Sequence, residues 1–354
     1  MIPDLQAAVR LAAEALPLGL TPRGQSAPAG AATVARQAPG FLRDLLVIVY
    51  NPGAGSGQES AMHEAVAQAC TAARRDFEWL VVRHPQDLHA TAAQAVRMAQ
   101  QAGGIVVAAG GDGTLNAVAA AVLPSGCRFG VLPLGTFNYF SRTHGIPTEL
   151  ADALQLLLQG AARPVQVGLV NERLFLVNAS LGLYPTLLEE REQLKSRWGR
   201  HRLVALGAGL MTLLHGHRNL HLRVSAAGVT RELRTPTLFV GNNALQMEQM
   251  GLPQAHAIDA GQLAAVALRP VGRWSMLGLV ARAAAGELGR ARQVVDFAFH
   301  ELGVDAGRGF GARRLKVATD GEVMWMALPL VFRVAPRPLL LIRPEGQALE
   351  RARQ

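Results

Sequence analysis

Short apolar runs alternate with alanine-rich segments over residues 45–133, and this alternation predicts the first part of the fold. The apolar runs have the length of strands, and the alanine-rich segments have the length and spacing of helices. Strands and helices in alternation are typical of a parallel α/β sheet. The predicted helices are 59–75, 88–101, 115–123 and a leucine-rich one that begins at the cap Thr148 and ends at Gly160.

From Val165 onward the pattern is that of a β-rich domain. Strand-like segments are separated by Gly, Asn and Pro, which indicates an antiparallel sandwich or a barrel-like domain. The segments are PVQVGLV, RLFLVNAS, LHLRVSA, TPTLFVG, QLAAVAL, RLKVAT and PLVFRVA. A chain of 354 residues is long enough for two domains with a core each.

The run GGDGT at 110–114 follows an apolar strand and precedes an alanine-rich helix. Its glycines leave backbone N–H groups uncovered, and the helix adds the positive end of its dipole, so a phosphate chain can lie against the turn. The carboxylate of Asp112 would repel phosphate unless it binds a divalent cation or orients a water or hydroxyl group. This favours a nucleotide-dependent phosphoryl transferase. A plain turn with Asp112 near the helix cap is the alternative that this motif alone leaves open.

Two similar turns occur nearby. The strand LLVIVY ends in NPGAGSG at 51–57, and another apolar run ends in PLGTFN at 133–138. Ligands of open α/β sheets bind at the carboxyl ends of the strands, so we expect the three loops to converge on one crevice. The loops do not match GxGxxG, and GAGSGQ lacks the lysine of a P-loop, which argues against both of those nucleotide sites.

In this order and spacing the motifs resemble those of the diacylglycerol kinase catalytic-domain family, in its bacterial soluble lipid kinase branch. The resemblance covers about residues 45–338. It is carried by NPGAGSG, GGDGTLNAV, PLGTFNYFSR, NASLGLYPTLLEEREQLKSRWGR and TDGE at 319–322. It implies an ATP- and Mg²⁺-dependent kinase whose first domain binds the nucleotide and whose β-rich domain takes up the lipid.

The resemblance also implies that the C-terminal tail returns to the first domain. With the periodicity, it predicts a mobile N-terminal extension over 1–40 and a nucleotide-binding α/β domain over 41–164. A β-rich lipid-substrate domain is expected over 165–335, followed by the returning segment over 336–354.

The matched motifs place the nucleotide on the three loops of the first domain. For the metal ion the candidates are Asp112 and, second, Asp259, where the family's usual DDG reads Asp259-Ala260-Gly261 and so lacks one carboxylate. The candidates for binding the nucleotide are Asn51, Pro52, Gly55, Gly110, Gly111, Asp112, Gly113, Thr114, Asn116, Gly135, Thr136 and Asn138.

In TDGE two carboxylates flank a glycine, a spacing that lets both face one crevice across a turn. Their mutual repulsion would raise the pKa of one of them towards neutrality. The resemblance implies that Glu322 is the general base, with Asp320 beside it and Asp112 in the other domain as the third catalytic residue. An exposed DG turn between two strands is the structural alternative.

The net charge of +9 is almost entirely arginine, and its placement is informative. Basic residues beside apolar helices favour peripheral contact with an anionic membrane surface. Burial of the same apolar faces in the core is the alternative. Only 5% of residues are aromatic, without basic–aromatic interleaving, so we expect no nucleic-acid partner. The arginines around WSMLGLVARAAA are Arg269, Arg273, Arg282, Arg290 and Arg292.

Cysteine usage and hydropathy predict a cytoplasmic protein. Cys70 and Cys127 are too few for a disulfide framework, which favours a reducing compartment. The apolar run at 203–214 is shorter than the roughly 20 residues of a spanning helix, and the first 40 residues do not read as a signal peptide. We expect peripheral contact with the inner face of the membrane, and the sequence leaves a homodimer open.

Three classes of function remain. The leading one is an ATP-dependent kinase that phosphorylates a hydroxyl of diacylglycerol or a related lipid. A kinase of a soluble substrate, such as NAD kinase, shares GGDG, but NPxxG and PLGTFN argue against it. The third is a non-catalytic lipid-binding relative, against which the retained Asp112, Asp320 and Glu322 argue.

Overall fold

The alternating strands and helices of the N-terminal part form one six-stranded sheet in a computed structural model, which describes residues 45–52, 59–189, 219–309 and 311–345. Its strands lie in the order β2-β1-β3-β4-β18-β5, all parallel to their neighbours except β5, which runs antiparallel to β18. They are β1 Leu46–Tyr50, β2 Phe77–Val81, β3 Ile105–Gly110, β4 Arg128–Pro133, β5 Ala161–Val165 and β18 Leu339–Arg343.

Helices cover both faces of this first sheet. Val47 and Val49 pack in one apolar cluster with α2 and α3, whereas Leu46 and Ile48 pack in another with α1 and α5. Successive side chains of a strand point to opposite faces, so an unbroken apolar run is what a strand buried on both sides requires. The helices are α1 Glu59–Ala72, α2 Leu88–Ala102, α3 Asp112–Val122, α4 Tyr139–Thr143 and α5 Leu150–Gln159.

Two predicted helix starts were wrong. Helix α3 begins at Asp112, three residues before the expected position, with Gly111 as its N-cap. An acidic residue in the first turn is favourable at the positive end of the helix dipole, which explains why the helix extends into the motif. The N-cap of α5 is Glu149 rather than Thr148, and its side chain makes no capping hydrogen bond.

Two further six-stranded sheets, both antiparallel, form the second domain. The second sheet has the order β10-β9-β14-β17-β6-β7, and the third has the order β13-β12-β11-β8-β15-β16. Leu222 and Phe332 of the second sheet share one buried core with Leu181 and Leu238 of the third, which confirms the predicted sandwich. The strands are β6 Gly168–Val170, β7 Arg173–Phe175, β8 Asn178–Gly182, β9 Leu220–Ala226, β10 Val229–Thr235, β11 Thr237–Gly241, β12 Leu263–Leu268, β13 Val294–Phe299, β14 Glu301–Ala306, β15 Arg314–Thr319, β16 Glu322–Ala327 and β17 Leu330–Val334.

Helices pack on the outer face of the third sheet. Met247 and Ile258, from two short helices, lie in a small apolar cluster with Val266 of β12. Met276 lies in another with Leu183. The helices are α6, described over 183–189, α7 Ala244–Gln249, α8 Ala255–Asp259 and α9 Arg273–Ala284. Among the residues described, no helix is long and apolar enough to cross a bilayer.

The strand predictions for the second domain were partly wrong. PVQVGLV and RLFLVNAS, each expected as one strand, are split into β5 and β6 and into β7 and β8, which belong to different sheets. The apolar pattern continues through each break, but the hydrogen-bonding partners change. Four strands were not predicted, namely β10, β13, β14 and β16. In β10 one face is exposed and charged, so its short apolar face gives a weak signal.

Candidate functional site

The loops that follow β1, β3 and β4 lie side by side, because these strands are neighbours in the first sheet. Asn51 Nδ2 donates a hydrogen bond to Thr114 Oγ1 at 2.9 Å. The backbone N–H of Leu134 donates to the carbonyl of Gly110, also at 2.9 Å. The predicted convergence is therefore present between the described parts of the loops. Pro52 is the last described residue of the first loop, and Gly55 lies outside the described residues.

Glycine is required where the second and third loops touch. A methyl group built on Gly135 would lie 3.0 Å from Gly111 Cα and 2.8 Å from Asn138 Oδ1. One built on Gly110 would lie 2.7 Å from the side chain of Thr114. The backbone of Gly135 therefore contacts that of Gly111, and the first turn of α3 lies directly beside the PLGTFN loop. Thr136 of this loop is exposed.

Asn138 fixes the PLGTFN loop over Asp112. Its backbone is left-handed, with φ 48°, and its side-chain amide donates to the carbonyl of Gly135 at 2.8 Å. The backbone N–H groups of Asn138 and Phe140 are hydrogen-bonded to the Asp112 carboxylate. An Asn at this position is suited to the left-handed conformation, which most other side chains disfavour.

Asp112 is a partly buried carboxylate with an unused oxygen. Burial raises its pKa to about 6, the negative charge of Asp320 adds to this, and the two loop N–H groups oppose it. Its Oδ1 is buried and has no hydrogen-bond partner among the described residues. A buried oxygen of this kind, at the N-terminus of a helix that favours phosphate, suits a cation that bridges carboxylate and phosphate.

Asp320 and Gly321 form the two-residue turn between β15 and β16. Their φ angles are 47° and 93°, and positive values at both central positions are those of the type I′ hairpin turn. The tight turn that the sequence offered as an alternative is therefore present, and it also holds the two predicted acidic residues.

The Asp320 carboxylate accepts four hydrogen bonds. Three come from the backbone N–H groups of Leu176, Val177 and Asn178, at 2.6, 2.9 and 2.9 Å. The fourth comes from Asn116 Nδ2 at 2.6 Å. Burial raises the pKa of Asp320, and these hydrogen bonds oppose the rise. Three of the four hydrogen bonds therefore attach the Asp320 carboxylate to the backbone where β7 connects to β8.

Asn116 links the two domains. It was predicted to contact the nucleotide, but its side chain is 6% exposed and donates to Asp320 Oδ2 and, at 3.3 Å, to the carbonyl of Leu174. Helix α3 is in this way attached to the second domain. The motif residue therefore holds the first turns of α3 against the sandwich.

Glu322 lies across the domain boundary from the GGDG turn. Its side chain is 49% exposed and forms an ion pair with Arg173 of β7. Its Oε1 lies 4.0 Å from a methyl group built on Gly113, so this carboxylate faces the start of α3. The expectation that Asp320 and Glu322 face one crevice and repel each other was wrong. The turn directs Asp320 inward, and the acid that its charge affects is Asp112.

The two predicted metal ligands lie in different surroundings. Among the described residues, no group of three His, Cys, Asp or Glu side chains is arranged to hold an ion. Asp259 is exposed at the end of α8. Mg²⁺ commonly takes one or two carboxylates and completes its shell with phosphate oxygens and water, so Asp112 fits such an ion beside a nucleotide.

Comparison with known proteins accounts for both domains. The model of the diacylglycerol kinase catalytic domain matches residues 45–170, and that of the YegS C-terminal NAD kinase beta sandwich-like domain matches residues 191–343. A "Probable lipid kinase YegS-like" protein of Pseudomonas aeruginosa (strain UCBPP-PA14) is 33% identical over 302 residues, which are 83% of this chain and 94% of that protein. The chain belongs to the YegS-like lipid kinase family. The resemblance identified from the motifs is confirmed.

Some YegS-like relatives match over shorter stretches. The chain spans about a third of one from Klebsiella pneumoniae (strain 342), with 40% identity over 115 residues, which are 31% of this chain and 36% of the relative. A crystal structure of a diacylglycerol kinase from Bacillus anthracis str. Sterne superposes with a TM-score of 0.61 at 19% identity, covering 85% of this chain and 97% of the other. At that identity the likeness shows the fold alone.

Several residues at the site of this YegS-like chain were not predicted. The sequence around Arg173 gives no indication that it belongs to the site, because its partner Glu322 lies 149 positions away. Asn178 and Ser180 of β8 are buried, and their Oδ1 and Oγ have no hydrogen-bond partner among the described residues. A buried polar residue at alternate positions of an otherwise apolar strand, as in NASLG, is the signal that would have found the last two.

Proposed function

We propose that this protein transfers the γ-phosphoryl group of ATP to a hydroxyl group of diacylglycerol or a related lipid, with Mg²⁺ as the metal. The observation that supports this most strongly is the approach of Glu322 to the GGDG turn, with Oε1 4.0 Å from the methyl position on Gly113. A phosphate donor on the turn and a proton acceptor on the hairpin would then face each other across the domain boundary.

The first domain would hold ATP through backbone groups. The backbone N–H groups at the start of α3, beside the close contact of Gly111 with Gly135, are the groups on which phosphates can lie. Asp112 would hold Mg²⁺ through its unused oxygen. When bound, the ion neutralises charge on the phosphoryl oxygens.

The second domain would supply the base. Glu322 takes the proton of the lipid hydroxyl, the hydroxyl oxygen forms a bond to the γ-phosphorus, and the bond from that phosphorus to the bridging oxygen breaks, releasing ADP. Arg173 orients the Glu322 carboxylate through their ion pair. Asp320 would act as a positioning residue, since its four hydrogen bonds fix the turn of the hairpin.

The outer face of the third sheet is suited to a lipid. Ala179 and Leu181 of β8 point into the sandwich core, so Asn178 and Ser180 lie on the outer face. Asn178 is next to the acidic hairpin, because its carbonyl accepts the N–H of Asp320 at 2.9 Å. The unused Asn178 Oδ1 and Ser180 Oγ could bind ester or hydroxyl groups beside the reacting end of the lipid.

An apolar cavity lies at the opposite end of β8, about 13 Å away at the usual rise per strand residue. Its volume is about 170 Å³, comparable to the engineered apolar cavities that bind benzene. A polar end near the hairpin and an apolar chain in this cavity match the two parts of a lipid. Lining residues include Leu183, Tyr184, Phe239, Met276, Leu279 and Ala283.

Label transfer from [γ-³²P]ATP tests the proposal. The acceptors are diacylglycerol, phosphatidylglycerol, a sphingoid base and NAD, each with Mg²⁺. We expect label in the organic phase with at least one lipid. Label in the dinucleotide would instead show a kinase of soluble substrate, and no transfer to any acceptor would indicate a non-catalytic relative. Because ATP is the donor, we place the reaction on the cytoplasmic side of the membrane.

A substitution that fills the cavity tests whether the acyl chain of the lipid lies there. Ala283→Phe adds bulk to the cavity wall, whereas Ala281→Phe adds it to the exposed side of the same helix. In detergent micelles we expect Ala283→Phe to lower the ratio of kcat/KM for long against short acyl chains about tenfold, the effect of excluding two methylene groups. An equal change in both variants would contradict this position of the chain.

A further inference from the structure

Helix α9 exposes apolar side chains that a water-facing helix does not need. Trp274, in its first turn, is 81% exposed, whereas Val280, which is 47% exposed, lines the apolar cavity. The opposite side of the helix is packed, since Met276 and Leu279 are 1% and 4% exposed. Tryptophan combines an apolar ring with a polar N–H and is enriched at protein and membrane interfaces, so this exposed ring indicates a surface of interaction.

The arrangement on the helix separates a cavity side from an outer side. At 100° per residue, Met276, Leu279 and Ala283 share the side that lines the apolar cavity. Trp274, Gly278, Ala281 and Ala285 share the outer side, and all four are exposed. The outer side therefore presents one large aromatic ring and small residues, directly above the proposed position of the acyl chain.

The charge around α9 has one sign. The sequence contains no Asp or Glu from 260 to 286, while Arg269, Arg282 and Arg292 are exposed around the helix. None of these three arginines has an ion-pair partner among the residues that the structure describes. The nearby Glu287 lies 3.6 Å from Arg290 and so offsets that fourth arginine.

We propose that the outer side of α9, with Arg269, Arg282 and Arg292, docks the protein on a bilayer that contains anionic phospholipids. Tryptophan prefers the interface between headgroups and acyl chains, and arginines beside it attract anionic headgroups. The inference extends the proposed function, because docking here places the cavity of the same helix at the membrane surface.

Vesicle sedimentation of the full chain tests the charge. The vesicles contain phosphatidylcholine with or without one quarter phosphatidylglycerol. We expect binding only to the anionic vesicles, weakened by salt. Arg282→Gln with Arg292→Gln should weaken binding about 25-fold, at about fivefold per arginine. The matched control is Arg231→Gln with Arg234→Gln, two exposed arginines on edge strand β10, and it should change binding less than twofold.

Quenching of tryptophan fluorescence by phospholipids brominated in the acyl chain tests the contact itself. We expect strong quenching that Trp274→Phe removes. Trp325→Phe, a change at the other exposed tryptophan among the described residues, should leave the quenching in place. Equal losses in both arginine pairs, or quenching that persists in Trp274→Phe, would overturn the proposal. So would association of the chain with itself through Trp274 that excludes vesicles.

The outcome is separable from that of the kinase proposal. Docking is measured without ATP, and phosphorylation can be measured on a short-chain acceptor dispersed without a bilayer. Vesicle binding by a chain that transfers no phosphate would contradict only the kinase activity. Phosphorylation of the dispersed acceptor by a chain that ignores anionic vesicles would contradict only the docking surface.

Discussion

Two turns of this protein contain a glycine next to a buried aspartate, and they use that aspartate differently. In the GGDG turn, Asp112 keeps one buried oxygen without a partner among the described residues. In the β15–β16 hairpin, the Asp320 carboxylate accepts four hydrogen bonds. Burial raises the pKa of both groups. The difference separates a carboxylate available to a ligand from one that holds the protein together.

The comparison also changes how the TDGE motif is interpreted. Asp320 and Glu322 are two positions apart, yet one is engaged with buried N–H groups and the other is half exposed beside Arg173. Motif membership alone assigns both to catalysis. The hydrogen-bond partners favour a positioning role for Asp320 and leave Glu322 and Asp112 as the candidates for chemistry.

The largest expected effect on stability is that of Asp320→Ala. Four donors, three of them backbone N–H groups, would lose their acceptor, so we expect the free energy of unfolding to fall by about 3–5 kcal/mol. Urea denaturation measures it. Asp320→Asn keeps one acceptor oxygen and should lose less. A loss under about 1 kcal/mol for the alanine variant would contradict the positioning role.

Asp112→Asn should stabilise the metal-free protein at pH 8. The folded-state pKa of Asp112, about 6, lies above the usual aspartate value of 3.8, so the folded state holds the proton more tightly. Wild-type stability should therefore fall as the pH rises from about 4 to about 6 and stay lower above that. The asparagine side chain does not ionise, so the stability of Asp112→Asn should not fall over this pH range.

We expect Asp112→Asn to be more stable than wild type by about 2 kcal/mol at pH 8 and equal to it at pH 4, measured by denaturation in EDTA. Nucleotide-dependent transfer should nevertheless be weakened, because the metal loses its carboxylate. A variant less stable than wild type at pH 8 would make Asp112 a structural residue like Asp320.

Gly135→Ala tests the contact between the second and third loops. The added methyl group would lie 3.0 Å from Gly111 Cα, so the loops must move apart, at a cost of about 1.5 kcal/mol in unfolding free energy. The displacement should also weaken ATP binding in calorimetry. Gly272→Ala, at a glycine with φ −73° and nothing within 4 Å of its methyl position, is the matched control for adding a methyl group without a clash. It should leave ATP binding unchanged.

The smallest expected effect is that of Asn51→Ala. Among the contacts it removes is the partly buried hydrogen bond to Thr114, and it should lower the unfolding free energy by about 1 kcal/mol. Asn116→Ala is the matched comparison, because that amide is buried and bonds to Asp320 across the domain boundary. We expect it to cost more than Asn51→Ala in thermal denaturation, and the reverse order would contradict the link between domains.

The sequence predicted those features of the fold that are determined by residues close together along the chain. The three glycine turns at strand ends, the helices of the first domain and the general sandwich followed from local pattern. The split of RLFLVNAS between two sheets could not be predicted in this way. Its apolar pattern continues through the break, whereas the strands with which it forms hydrogen bonds change. The partners of Asp320 lie more than 140 positions away, so composition and spacing carry no signal for them.

Glu322→Gln tests the central claim most directly, by transfer of label from ATP to diacylglycerol. The ion pair with Arg173 is exposed, so the unfolding free energy should change by less than about 1 kcal/mol. Transfer should fall by a factor on the order of 10²–10⁴, the usual contribution of a general base. A folded variant with near wild-type turnover would contradict the account.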